Sequence, residues 1–426
     1  MNQINTEGSF AKHEGLQSAQ EIVKTLIELS ENRKTPLCHS AVLHQSELAT
    51  EVIQLLLDQG TDFDAKDEDN ISTLHKAVEN ESKYALHIVK ILLKQGLSPN
   101  VKDQMGNTPL HYSVSLNQSE WATQIVEHLL EQGADLQSKN NNGSSVLHLA
   151  TNNSSKHSID IIKMLLDKGM SSDVEDDHGN TPLHYSIVNQ SEWATPMIHL
   201  LLRHGADLTA KNEDGSTALH LATKNQSQYS LGVIKTLTEQ GLDVNAEDDF
   251  GETPLFYCAR SNGSEWATEI IELLLEQGVH LDAKNSDGST ALHSAAENES
   301  ESTLDIIRLL IRKGLNVNAT DNEGNTPLHY CVALNQSEWA TDIVELLLDQ
   351  GADLHKKNKY GNTALHSATE NHSEYVLDLI QMLLNKGINP LEKNESRITP
   401  LNFALEDVSE WTPAIVELLS NPGFRR

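Results

Sequence analysis

Residues 106–114 read GNTPLHYSV, and this stretch all but writes its own backbone. Gly106 marks the turn just before the Thr. Thr108 has the short hydroxyl that caps a helix N-terminus, and Pro109 sits at the first helical position, where its missing N–H costs nothing. After a short polar turn comes ATQIVEHLLEQG (122–133), which places Ile125, Val126, Leu129 and Leu130 along one helical face. Gly133 is placed as a left-handed stop. ADLQSKNNNG (134–143) then carries polar turn residues to the next Gly. The expected unit is helix, turn, helix and extended hairpin. Helices this short cannot bury their apolar faces alone, so neighbours must cover them.

The neighbours are further copies. The Leu of each TPLH-like stretch recurs at Leu37, Leu74, Leu110, Leu147, Leu183, Leu219, Leu255, Leu292, Leu328, Leu365 and Leu401, always 36 or 37 residues apart. Eleven contiguous copies leave no room for a second domain. A slower period lies on top. NQSEWAT (117–123) returns at 189–195 and 335–341, with NGSEWAT at 262–268 and VSEWT at 408–412. Trp121, Trp193, Trp266, Trp339 and Trp411 therefore mark every second copy, and the copies between them carry Tyr84, His157, Tyr229, Ser302 and Tyr375 there. The true period is a two-repeat cassette of 72 or 73 residues.

The TPLH start, the LLEQGAD-like end of the second helix and the Gly-tipped hairpin resemble the ankyrin repeat over residues 35–420. That resemblance implies an all-α fold with short β-hairpin loops, a curved solenoid of right-angled helix pairs. The family unit is roughly 33 residues; the surplus here, about four residues, falls in the turn that holds NQSEWAT. Residues 1–34 are expected to form an N-terminal cap with only a second helix (LQSAQEIVKTLIELS, 16–30), and 421–426 a C-terminal tail.

Composition narrows the function. Lys and Arg total 31 against 62 Asp and Glu, a net charge of −31, which opposes nucleic acid or an anionic membrane as partner and favours a basic or mixed-charge protein. No apolar run approaches the roughly 20 residues of a membrane span, and the first residues contain no secretory signal. Cys38, Cys258 and Cys331 have neither disulfide nor metal-ligand spacing. These features imply a cytoplasmic chain, expected to be a monomer.

Candidate chemistry resolves into structure. His75, His111, His148, His184, His220, His293, His329 and His366 share the TPLH position, one per repeat, too far apart to share a metal at about 2 Å. Each is expected to bond neighbouring backbone and tie repeat to repeat. AEDDFG (246–251) and VEDDHG (174–179) lack the ligand spacing of a calcium loop. No nucleophile elbow or phosphate loop occurs; no catalytic residue, metal or cofactor is expected, and the chain is read as no enzyme. Asn80, Asn117, Asn153, Asn189, Asn225, Asn262, Asn298, Asn335 and Asn371 begin Asn-x-Ser sequons between the helices. They are read as left-handed ends of the first helix rather than glycan sites. Pro196 and Pro413 follow a Thr, which predicts that the second helix starts at that Thr. The Trp is then expected in the turn just before, sealing the helix pair at the end remote from the hairpins.

The resemblance implies that a partner protein binds on the concave side, to hairpin tips and first-helix ends. There the sequence varies most: Met105, His178, Asp249, Phe250, Glu323, Lys359 and Tyr360 at tips, and Leu116, Arg260 and Leu334 on first helices. Phe250, Tyr360 and Met105 are the expected anchors, because aromatic and large apolar side chains dominate binding energy. Alternatives are an effector or toxin-like ankyrin protein acting in a host cell, or a spacer whose Trp ridge is its contact surface.

Overall fold

The computed structural model of the chain describes residues 19–27, 40–41, 48–62, 66–406 and 409–420. It divides into two compact halves, Met1–Ala210 and Lys211–Arg426, built to one plan. In the Leu110 repeat the first helix is Pro109–Ser115 and the second Ala122–Glu131. Within each half, first helices pack on the first helices of adjacent repeats and second on second. The cores are many and small: Leu110, Val114, Ala122, Ile125, Val126 and Leu129 are all buried in this one repeat. The second helix ends as expected. Gly133 has φ +88°, and Ala134 N–H reaches back to Leu129 O at 3.0 Å.

The hairpins are tighter than paired strands. Among the described residues only isolated antiparallel bridges occur, such as Lys139 with Ser145. Asp103 organises one tip: its N–H donates to Asn107 O at 3.0 Å, and its Oδ1 accepts Asn107 N–H at 2.8 Å. Within each half, neighbouring tips are also tied together, as where Asn141 N–H donates to Met105 O at 2.9 Å. A Cβ on Gly106 would run into Asn141, so close approach as well as positive φ demands glycine there.

Seven of the eight histidines, all but His184, act as the sequence analysis expects. Thr108 N–H donates to His111 Nδ1 at 3.2 Å, and Thr108 Oγ1 lies 2.9 Å from the same nitrogen. A backbone N–H can only donate, so Nδ1 is the acceptor and the ring proton sits on Nε2. Nε2 then donates to Ser144 O of the next repeat at 3.3 Å. His75, His148, His220, His293, His329 and His366 repeat this bond. Burial depresses their pKa values, to about 4 at His111 and His293, which keeps the rings neutral.

The two-repeat period has a structural meaning of its own. In four of the five Trp-bearing repeats a Tyr stands one residue after the TPLH histidine position: Tyr112, Tyr185, Tyr257 (behind Phe256) and Tyr330. The preceding repeat's imidazole meets each edge-on, His75 against Tyr112 at 4.9 Å and His293 against Tyr330 at 5.0 Å. The hydroxyl donates to the Asp of its own hairpin, Tyr330 to Asp321 Oδ2 at 3.1 Å, and lies 2.8 Å from Ser289 Oγ in the repeat before.

The structure corrects the sequon reading. Seven of the nine Asn residues, all but Asn117 and Asn371, end the first helix in an extended conformation, as at Asn189 (φ −65°, ψ 120°), and all nine are buried. The amide reaches the preceding repeat, where Asn117 Nδ2 donates to Val78 O at 2.9 Å. Val78 lies in the last turn of its helix, whose carbonyls lack intrahelical partners. Asn117 Oδ1 accepts the Ser119 N–H at 3.0 Å and its hydroxyl at 2.6 Å. A buried amide with both ends engaged is no glycan acceptor in the folded chain.

The helix-start expectation also shifts. The second helix of the Leu183 repeat begins at Ala194, one residue before Thr195, and takes Pro196 into its first turn. That proline is tolerated because first-turn N–H groups have no intrahelical acceptor. In the last repeat, the other one with a Pro there, the helix begins at the Thr, Thr412, as expected. The five Trp residues precede these helices and are half-buried; the carbonyl of Trp121 accepts the first helical bond from Ile125 at 3.0 Å. Helix 19–27 is present with Ala19, Val23 and Leu26 buried. The rest of the expected cap, Leu37, Cys38 and residues 421–426 lie outside the described residues.

Candidate functional site

Three of the singled-out residues belong to the first half. Met105 and His178 are exposed at hairpin tips, and Leu116 is exposed where a first helix ends. Seven belong to the second half. Asp249 and Phe250, Glu323, and Lys359 and Tyr360 occupy three of its tips; Leu334 and Arg260 sit on first helices. Phe250 is 60% exposed and Tyr360 53%, so both are presented outward rather than packed. The Tyr360 hydroxyl donates to Glu323 Oε1 at 3.2 Å, joining two adjacent tips. That bond, with the Glu323 charge, raises the Tyr360 pKa.

Arg260 differs from the others because its guanidinium is engaged internally. It forks onto Glu252, with Nη1 2.8 Å from Oε2 and Nη2 on Oε1. Nη2 also donates to Ser294 Oγ at 3.2 Å, and Nε lies 3.3 Å from Glu297 Oε2. Glu252 is buried. Burial alone would lower the Arg260 pKa, but Glu252 and then Glu297 more than reverse that. Glu297 moves upward: burial raises its carboxyl pKa, Arg260 only partly opposes this, and Glu252 adds repulsion. One cation is thus shared by two carboxylates, with Glu252 holding the larger part.

Two hollows open beside this cluster. One of about 310 Å³ lies among Phe250, Glu252, Arg260, Asp287, Glu297 and Tyr330. The other, about 600 Å³, lies among Asp287, Glu297, Asp321, Glu323, Leu334 and Glu370. Asp287, Glu297 and Tyr330 border both, so they form one groove running over the tips and first helices.

Glu252, Phe256, Asp287 and Tyr330 were not singled out from sequence. The signal was present in GETPLF (251–256), where three other Trp-bearing repeats read GNTPLH. Phe256 fills the imidazole position and is fully buried, leaving the Thr253 hydroxyl without a hydrogen-bond partner. Cys258 and Cys331 are buried free thiols, their pKa raised by burial. Among the described residues no group of His, Cys, Asp or Glu is placed to hold a metal, and no helix is long and apolar enough to cross a membrane.

The model of the family "Ankyrin repeats (3 copies)" matches residues 49–123, 119–212, 193–285, 265–358 and 338–424. The chain belongs to the ankyrin-repeat family. Ankyrin repeats generally mediate protein–protein interaction and are typically non-catalytic. Among solved structures, it is similar to the crystal structure of the ankyrin repeat domain of Bcl-3, described as a unique member of the IkappaB protein family. Identity is 27%, coverage 56% of this chain and 98% of that one, and the TM-score 0.41. No curated protein matches the chain significantly.

Proposed function

We propose that this ankyrin-repeat chain is a non-enzymatic scaffold that binds a basic or mixed-charge protein on the face formed by its hairpin tips and first helices. The observation that carries this reading is where large apolar side chains are left in solvent. Of the nine such residues among those described, Met105, Leu116, Val188, Phe250, Leu334 and Tyr360 lie on that face, although most of its other side chains are polar. Apolar anchors set among polar groups are the usual composition of a binding surface. The net charge of −31 supports a basic partner and opposes nucleic acid. The chain is read as a cytoplasmic monomer.

A random-peptide display selection on the immobilised protein tests this. Selected peptides should be rich in Lys and Arg and carry an apolar anchor. Most should lose binding to the Phe250→Ala/Tyr360→Ala variant while its circular dichroism spectrum is unchanged. Peptides that bind the variant as well as the parent would sink the assignment of the face.

A further inference from the structure

We infer that the groove in the second half is a site for an extended peptide segment in which an arginine is flanked by apolar residues. Its guanidinium seats among Asp287, Glu297 and Glu370, and its apolar neighbours lie on Phe250 and Leu334. This deepens the scaffold reading and rests on it.

Charge is the first argument. Six carboxylates line the joined hollows, from Glu252, Asp287, Glu297, Asp321, Glu323 and Glu370, and the one Lys or Arg side chain lining them is Arg260. That guanidinium is spent on Glu252 and, through Nε, on Glu297. The wider hollow contains no lysine or arginine at all, and its imidazole, His329, is held neutral by burial. A concave site lined by one sign of charge focuses its field on a guest of the opposite sign.

The carboxylates are not equally committed. Asp321 is saturated by the Glu323 and Asn325 N–H groups, the Asn325 amide and the Tyr330 hydroxyl. Glu323 accepts the Tyr360 hydroxyl. Asp287 makes no ion pair among the described residues and is exposed at its tip. Asp287 and Glu297 border both hollows, so a cation placed there serves both. A planar guanidinium can address several carboxylates at once, which a lysine ammonium does with less geometric definition.

Size and apolar surface decide between a peptide and a small polycation. A hollow of about 600 Å³ exceeds one arginine side chain and is continuous with a second of about 310 Å³. Phe250 and Leu334, 60% and 51% exposed, border the two hollows one each. A polyamine brings only the thin methylene runs between its charges, whereas a peptide with apolar residues beside its arginine covers both.

The test is fluorescence anisotropy of a labelled Leu-Arg-Phe-Arg-Leu peptide with the full chain, against the same peptide with citrulline for arginine. The arginine peptide should bind, and its affinity should fall from low to high salt. The citrulline peptide should bind at least about ten-fold more weakly. Asp287→Asn/Glu370→Gln should weaken the arginine peptide about ten-fold, and Leu334→Ala should weaken it by a smaller factor, both with unchanged circular dichroism. Equal binding of the citrulline peptide, or parental binding by the folded double variant, would overturn the inference. So would spermine binding as tightly as the peptide with no effect of Leu334→Ala, which would make the guest a small polycation. Display-selected peptides that require Phe250 and Tyr360 but ignore the double variant would remove the groove and leave the scaffold reading standing. If neither the selected nor the designed peptides bind the parent protein, both readings fall.

Discussion

The Leu255 and Leu328 repeats stand two apart, share Pro-Leu and Tyr-Cys in the first helix and Ser-Glu-Trp before the second, and yet join their following neighbours by different chemistry. In the Leu328 repeat His329 accepts Thr326 N–H at 3.2 Å and reaches Asn362 O at 3.3 Å, while Asn358 Nδ2 donates to Asn325 Oδ1 at 2.8 Å. In the Leu255 repeat Phe256 makes neither imidazole bond. Glu252 stands where Asn325 does and accepts Asn285 Nδ2 at 3.2 Å, and Arg260 carries the link onward to Ser294 and Glu297. A neutral, buried clamp has been exchanged for a charged one at the edge of a groove. Both junctions keep the Asn amide bond, Asn298 to Ala259 O at 3.0 Å and Asn371 to Val332 O at 3.1 Å. One link of a junction can therefore be rewritten while another is retained.

Acid should separate the two most strongly. An imidazole with a folded pKa below its unfolded value leaves the unfolded chain holding more protons. Its contribution is complete above the unfolded value of about pH 6.5 and is lost as pH falls from there toward the lowered folded value, at up to about 1.4 kcal/mol per pH unit for each ring. His75, His111, His148, His220, His293, His329 and His366 all shift this way. Glu297, with its pKa raised, has the opposite sign: the folded state takes up a proton first and gains as pH falls. Native-state hydrogen exchange between pH 7 and 5, corrected for intrinsic rates, reads each junction separately and cancels the change in overall charge. Opening free energies in helix Pro327–Leu334 should fall further than in Pro254–Ser261. Equal falls would mean that the imidazoles do not carry the difference.

Converting one junction toward the other is the next largest effect. His329→Phe removes the acceptor for Thr326 N–H and the donor to Asn362 O without supplying Glu252 or Arg260. Orphaning these buried groups should cost about 3 kcal/mol, seen as a lower urea midpoint for the second half. A loss below about 1 kcal/mol would show the clamp to be dispensable. Arg260→Ala should cost less, about 2 kcal/mol, because the Arg side chain is 37% exposed even though Glu252 is only 7%. High salt should shrink that loss but not the loss from His329→Phe. If salt shrinks both alike, the contrast between charged and neutral clamps fails.

Much of this was legible in the sequence because it is local. Thr-Pro-Leu-His starts a helix, Gly133 stops one, and the 36- or 37-residue spacing counts the copies. The histidines could be placed as inter-repeat ties because one per repeat excludes a shared metal site. The Asn residues show where local reading gives out. A left-handed helix end and an extended one are both open to Asn, and the choice was made by a carbonyl 39 residues earlier, as the extended Asn298 finds at Ala259. Arg260 shows the same limit: its variability suggested a contact for a partner, and only packing shows it already held by Glu252 and Glu297.

Sequence alone therefore determined the ankyrin family, the register of the repeats and the two-repeat period, since these follow from turn chemistry, helical periodicity and repetition. Tertiary structure decided which way each Asn amide points, which ring nitrogen carries each proton, and that Phe250, Asp287, Glu297, Leu334 and Glu370 border one groove. Those residues span 121 positions from Phe250 to Glu370. They share a surface only because stacked repeats bring equivalent positions side by side, and no local propensity records which odd substitutions will meet there.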